Sequence, residues 1–78
     1  MEFHKRLKGL RQACAFKQKD LAEFIGVSVR TFQDYEQGNT QPNIQKLIAL
    51  ADIFNISLDY LVGRDEFLKS REANVEEL

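Results

Sequence analysis

Few of the 78 residues could do chemistry of their own. The chain has one histidine, His4, and one cysteine, Cys14, and neither has a Cys or His partner at ligand spacing. No metal site and no cofactor is therefore expected, and one cysteine cannot close an internal disulfide. There is no Gly-rich phosphate loop, and His4 has no Ser or Cys nucleophile implied beside it, so an enzyme is not expected. The chemistry that remains is hydrogen bonding by unspent side chains. It concentrates in one stretch, where Val29, Arg30, Gln33 and Asp34 share the outward face of a short helix. An arginine fork, an amide and a carboxylate on one helix face can read donors and acceptors on a partner.

Two short helices must position those residues. In residues 18–36, QKDLAEFIGVSVRTFQDYE, Leu21, Ala22 and Ile25 share one face of the first. Gly26 follows, and a glycine accepts positive φ without steric cost, so the chain can turn sharply there. Ser28 is a good N-cap for the second helix, expected over about Val29 to Gln37. Phe32 and Tyr35, three apart, face inward and leave Arg30 outward. Ala22 is small where two helices crossing this closely would touch.

This stretch resembles the helix-turn-helix of the lambda-repressor and Cro-like (XRE-type) bacterial and phage regulators. The carriers are Leu21, Ala22, Ile25, Gly26 and Val27, then Phe32 and Tyr35. The resemblance extends to Leu7, Leu10 and Arg11 in a first helix, to Pro42, Ile44, Leu47, Ile48, Leu50 and Ala51 in a fourth, and to residues 56–61, ISLDYL, in a fifth. It covers roughly residues 3–64 and implies an all-α, compact five-helix DNA-binding domain. Two departures stand between the first helices. Ala15 replaces the family's usual Gly, and Lys17 its usual Ser or Thr. Alanine resists the left-handed conformation and lysine cannot cap, so this turn is expected to be tighter or shifted by a residue.

The resemblance further implies which residues meet double-stranded DNA. Ser28, Val29, Arg30, Gln33 and Asp34 would face base edges in the major groove, which admits an α-helix. Beside what the resemblance implies, position adds phosphate contacts: Gln18 at the positive dipole end of the first motif helix, flanked by Lys17 and Lys19, and Gln37, Asn39, Thr40 and Gln41 in the loop after the second. Arg11 would pair with Glu36, partly buried, and so fix the recognition helix. The C-terminal helices would form a homodimer, with Phe54, Tyr60, Val62 and the tail as candidates. The function implied is that of a sequence-specific transcriptional regulator, such as a phage-type repressor, a restriction-modification controller or an antitoxin. The competing class is a protein-interaction module that kept the fold and lost its DNA face.

Charge distribution agrees with the first class. The net charge of −1 divides unevenly: residues 1–38 hold seven basic and five acidic side chains, and residues 65–78 hold two basic and five acidic. The local positive face, not the total, matters for phosphate binding.

Elsewhere the apolar residues recur at three and four. Phe3, Leu7, Leu10 and Cys14 make an inward stripe from Glu2 to about Cys14, with Lys5, Arg6, Lys8, Arg11 and Gln12 on the other sides. Gly9 in its middle should weaken the helix by ~1 kcal/mol relative to alanine. His4 reads as a surface residue, Cys14 as a small packing residue, Phe16 as a core anchor, and Phe24 as partly exposed or packed on the first helix. Asn43 can cap a helix over residues 44–54, whose Ile44, Leu47, Ile48, Ala51 and Phe54 share a face widened by Leu50, the breadth of a nearly buried helix. Asn55 can serve as its left-handed cap, and Ser57 can cap a short helix through Val62. The domain is expected over residues 1–64. Residues 65–78 are an acidic tail or an additional short sixth helix, with Phe67, Leu68, Val75 and Leu78 either docking or dimerising, or fraying in solution. No apolar run approaches the ~18–20 residues of a membrane span and no signal-peptide pattern opens the chain, so a cytoplasmic protein is expected.

Overall fold

The computed structural model describes residues 2–63, and within them the chain forms five helices and no strand. They are α1 (Phe3–Ala13), α2 (Gln18–Ile25), α3 (Val29–Gln37), α4 (Ile44–Phe54) and α5 (Leu58–Val62). The expectations for residues 65–78, including a sixth helix, fall outside the described residues.

Local chemistry sets the boundaries. The hydroxyls of Ser28 and Ser57 and the side-chain carbonyl of Asn43 each accept from the backbone amide three residues on, capping α3, α5 and α4. Lys17 has no such group, and α2 starts without a side-chain cap. At the other ends, Gly26, Gly38, Asn55 and Gly63 take the left-handed conformation. After α2, α3 and α4 the next amide then reaches back five residues, as in Val27 N–H to the Ala22 carbonyl at 2.9 Å.

The α1–α2 turn corrects an expectation. Ala15 does adopt the left-handed conformation, at φ 59°. Phe16 N–H then reaches the Arg11 carbonyl at 3.0 Å, so the turn keeps the glycine-type closure and is not shifted. The steric cost of a left-handed alanine is of order 1–2 kcal/mol. Phe16 anchors the turn by setting its ring against Phe54, with centroids 6.2 Å apart.

All five helices contribute to one core, in which Leu7, Leu21, Phe32, Leu50 and Leu61 are almost completely enclosed. Ala22 is buried as well, and α2 and α3 pack closely. Four expectations fail against this core. Cys14 is exposed instead of packed, because α1 ends at Ala13 and the chain swings away. Phe54, expected on the inward face and also as a dimer candidate, is buried beside Phe16, which agrees with the first expectation and not with the second. Ile44 and Ile48, expected inward, are 57% and 47% exposed. The covered arc of α4 carries Leu47, Leu50, Ala51 and Phe54, with Ala49 and Ile53 partly buried beside it, and it leaves Ile44 and Ile48 outside. Arg6, expected off the inward stripe, is buried: its guanidinium lies 4.3 Å from the centre of the Tyr60 ring and donates to the Tyr60 carbonyl, tying α1 to α5.

Candidate nucleic-acid interface

The site is built on α3, and three elements hold α3 still. Phe32 and Tyr35 insert into the core at an edge-on angle to each other, with centroids 6.3 Å apart. One turn on, Glu36 is also enclosed, its side chain only 3% exposed. Arg11 of α1 grips it with a fork: Nε donates to Oε2 at 2.6 Å and a terminal nitrogen donates to Oε1 at 3.3 Å. Gln18, the first residue of α2, donates from Nε2 to Glu36 Oε1 at 2.7 Å. Arg11 also donates to the Phe16 carbonyl at 3.0 Å, which draws the strained α1–α2 turn into the same cluster. A buried carboxylate is tolerable only when paired and hydrogen-bonded, and this one is both.

The cluster continues toward the surface. Gln33 Nε2 donates to Gln18 Oε1 at 3.3 Å, so the chain of contacts runs Arg11, Glu36, Gln18, Gln33. Sequence reading gave Gln18 a phosphate and Gln33 a base, and did not foresee that the two bind each other. Their positions, one at the start of α2 and one midway along α3, carried that signal only once the α2–α3 crossing was known. Arg6 was missed altogether. It stands three residues from Phe3 and four from Leu10, at the edge of the inward stripe, and spacing alone does not say which edge meets α5.

The opposite face of α3 is open. Ser28, Val29 and Arg30 are exposed, and Gln33 and Asp34 are half-buried. Among the described residues Arg30 has no hydrogen bond and no ion pair. The Ser28 hydroxyl is engaged with both the amide and the hydroxyl of Thr31, at 3.0 and 2.9 Å. Lys17 and Lys19, beside the uncapped start of α2, are exposed and likewise without partners among the described residues. The loop after α3 is partly self-bonded: Asn39 Nδ2 donates to Gln37 Oε1 at 3.0 Å and to Asp34 Oδ1 at 3.4 Å. Thr40 and Gln41 are exposed. Gly38 turns the chain at φ 80°, and His4 packs against it so closely that an added Cβ would lie 3.2 Å from Nδ1. His4 is thus half-buried at the end of α3, not a surface residue.

A helix-turn-helix family model matches residues 7–61, from the first α1 core leucine to the α5 core leucine. The chain belongs to the helix-turn-helix family. As a helix-turn-helix domain it resembles several proteins along most of its length. The HTH-type transcriptional regulator ImmR of Bacillus subtilis (strain 168) is 35% identical over 75 residues, which are 96% of this chain and 59% of ImmR. A transcriptional regulator from Listeria innocua superposes with a TM-score of 0.77 at 34% identity, covering 99% of this chain and 78% of that one. The P22 c2 repressor, solved in complex with synthetic operator 9T, superposes at 0.74 with 29% identity, covering 80% of this chain and 94% of that one. This helix-turn-helix domain spans little more than half the length of the curated relatives it matches.

Proposed function

We propose that residues 1–64 bind double-stranded DNA in a sequence-specific way and regulate transcription, with α3 lying in the major groove. The observation that carries this reading is the contrast across α3: its inner face is fixed by Arg11, Gln18 and the core, while Arg30 and Val29 face outward unpartnered. The solved complex of the P22 c2 repressor with an operator supports it.

The roles follow from donor and acceptor inventories. Arg30 forks onto guanine O6 and N7, and Val29 packs on a thymine methyl. Gln33 spends one amide hydrogen on Gln18 and keeps the other, with Oε1, for the bidentate pattern of adenine. Asp34 accepts from cytosine N4, and Ser28 approaches from the first turn. The uncapped start of α2 offers free amides and a positive dipole end to a phosphate, with the second amide hydrogen of Gln18 beside them. Lys17, Lys19, Gln37, Asn39, Thr40 and Gln41 complete the backbone contacts, which fix register and carry no sequence information.

One domain reads one half-site. We therefore assign the protein a homodimeric form on DNA, with half-sites about one helical turn, ~34 Å, apart. The setting is the cytoplasm; among the described residues no helix is long and apolar enough to cross a membrane. No catalytic role is assigned.

Selection of bound fragments from a random duplex pool, followed by sequencing, tests the proposal. A repeated motif with two-fold symmetry is the expected outcome. Failure to retain any duplex at low salt would favour an interaction module on the same fold.

A further inference from the structure

An open cavity of about 420 Å³ lies where the start of α1 passes the end of α3. That volume falls in the range of small-molecule sites, ~300–1,000 Å³. Glu2, Phe3 and His4 line it from the start of α1, and Tyr35 lines it from α3. Neither the packing of the core nor the DNA reading uses this space.

We propose that the cavity binds a small organic cation, an amine carried on an apolar or aromatic body, and that its occupant strengthens DNA binding through the neighbouring loop. The first half stands without the DNA reading, and the second rests on it.

The sign of the ligand follows from the lining. No lysine or arginine borders the cavity, whereas the Glu2 carboxylate does. His4 is the one nitrogen base there, and its Nε2 stands 3.4 Å from Glu2 Oε2. The cavity also meets the end of α3, whose last turn has no basic residue of its own. The dipole makes that end negative, so a cation is favoured beside it.

Tyr35 supplies a spare polar atom. The residue is only 6% exposed, and its hydroxyl makes no hydrogen bond among the described residues. No enclosed polar side-chain atom among them lacks a partner, so this hydroxyl is open and not sealed in, and Tyr35 lines the cavity. A phenol oxygen accepts from an ammonium group. The rings of Phe3 and Tyr35 add two aromatic surfaces of the kind that attract organic cations. An anion would meet the wrong charge, and a neutral molecule would leave the carboxylate and the helix end uncompensated.

The link to DNA lies in the remaining wall. Gly38, Thr40 and Gln41 also border the cavity, and the DNA reading gives the last two phosphate contacts. A cation seated beside them adds positive charge at short range from that backbone, where salt screens least.

The test uses the full chain, first without DNA. Amide chemical-shift titrations at matched ionic strength compare benzylammonium with benzyl alcohol, its neutral counterpart, and with benzoate. Benzylammonium is expected to shift the amides of Phe3, Gly38 and Thr40 and to bind about tenfold more tightly than benzyl alcohol, with benzoate weakest. Tyr35→Phe removes no existing bond, so it should keep the wild-type melting temperature and yet weaken benzylammonium about threefold. Glu2→Gln should weaken it by a similar factor. Absence of binding, equal binding of the three probes, shifts confined to another surface, or full affinity in both variants overturns the site. In the second arm, saturating benzylammonium should raise affinity for a duplex recovered by the selection above about twofold at low salt. The double variant Glu2→Gln/Tyr35→Phe should show no such rise. Unchanged or lowered duplex affinity with the site filled overturns the coupling. A wild type that binds no duplex in the absence of amine sinks the DNA reading and the coupling with it, while the shift titration still decides the site.

Discussion

The two faces of α3 are built on opposite principles. Inward, Phe32 and Tyr35 lie in the core, and the Glu36 carboxylate receives three hydrogen bonds, two from Arg11 and one from Gln18. Outward, Arg30 sits exposed in the first turn of the same helix, where a cation opposes the dipole. A helix selected for stability alone would reverse both choices. It would bury apolar residues in place of the ion pair, a change often neutral or stabilising, and carry an acid at its start. The difference teaches that orientation is what the inner face supplies. A forked, directional bond fixes how α3 is rotated about its axis, and the rotation decides where Arg30 points.

Breaking the inner face should give the largest effect. Glu36→Gln leaves the Arg11 guanidinium enclosed beside a neutral group, and is expected to lower stability by about 3 kcal/mol in urea denaturation. A loss below ~1 kcal/mol would mean that the pair behaves like an exposed one. The apolar double variant Arg11→Met/Glu36→Leu sharpens the comparison: it should recover much of the stability yet bind its operator more weakly than the wild type.

Removing the outer arginine should do the reverse. Arg30→Ala is expected to change stability by less than ~0.5 kcal/mol. It should weaken specific binding by about 1–3 kcal/mol and relax one position of the site. Equal losses on operator and random duplex would reduce Arg30 to a phosphate contact. Away from α3, Gly9→Ala tests whether α1 is limited by its own backbone. An added Cβ there meets nothing within 4 Å, so melting should show a gain of up to ~1 kcal/mol. The smallest effect belongs to Lys19→Ala, which should weaken all duplexes alike and flatten the salt dependence by about one unit of slope. A sequence-dependent loss would move Lys19 from the backbone to a base.

What was legible in the sequence follows the range of the interactions concerned. Ser28, Asn43, Ser57 and Asn55 were readable as caps because a cap is settled within about four residues. The outward placement of Arg30 was readable because Phe32 and Tyr35 fix the rotation of so short a helix. α4 was not. Its apolar residues span an arc wider than its neighbours cover, and periodicity reports the arc but not the covering, so Ile44 and Ile48 were placed inside. Phe54, readable as inward from its spacing, was wrongly also assigned to an interface, and Arg6 was misplaced because the Tyr60 ring that meets it lies far away in the chain. Of the site, the Arg11–Glu36 pairing was implied by family likeness, whereas the Gln18–Gln33 bond depends on a crossing angle that no local pattern encodes.

α1 has the poorest local support of any helix described. Its N-cap Glu2 makes no side-chain cap bond, its first turn has no acid, Gly9 interrupts it, and Ala15 closes it under strain. Yet α1 supplies Arg11, the residue that sets the rotation of α3. Its helicity must come from what it packs against, and the dependence runs both ways. In native-state hydrogen exchange such mutual dependence makes two segments one cooperative opening unit. The amides of α1 and α3 should therefore share a common opening free energy, although a complete helix separates them in the chain. Any fluctuation that releases the first helix then erases the alignment of the third at the same moment. On the proposed reading, the folded population and the population competent to bind DNA then become one quantity.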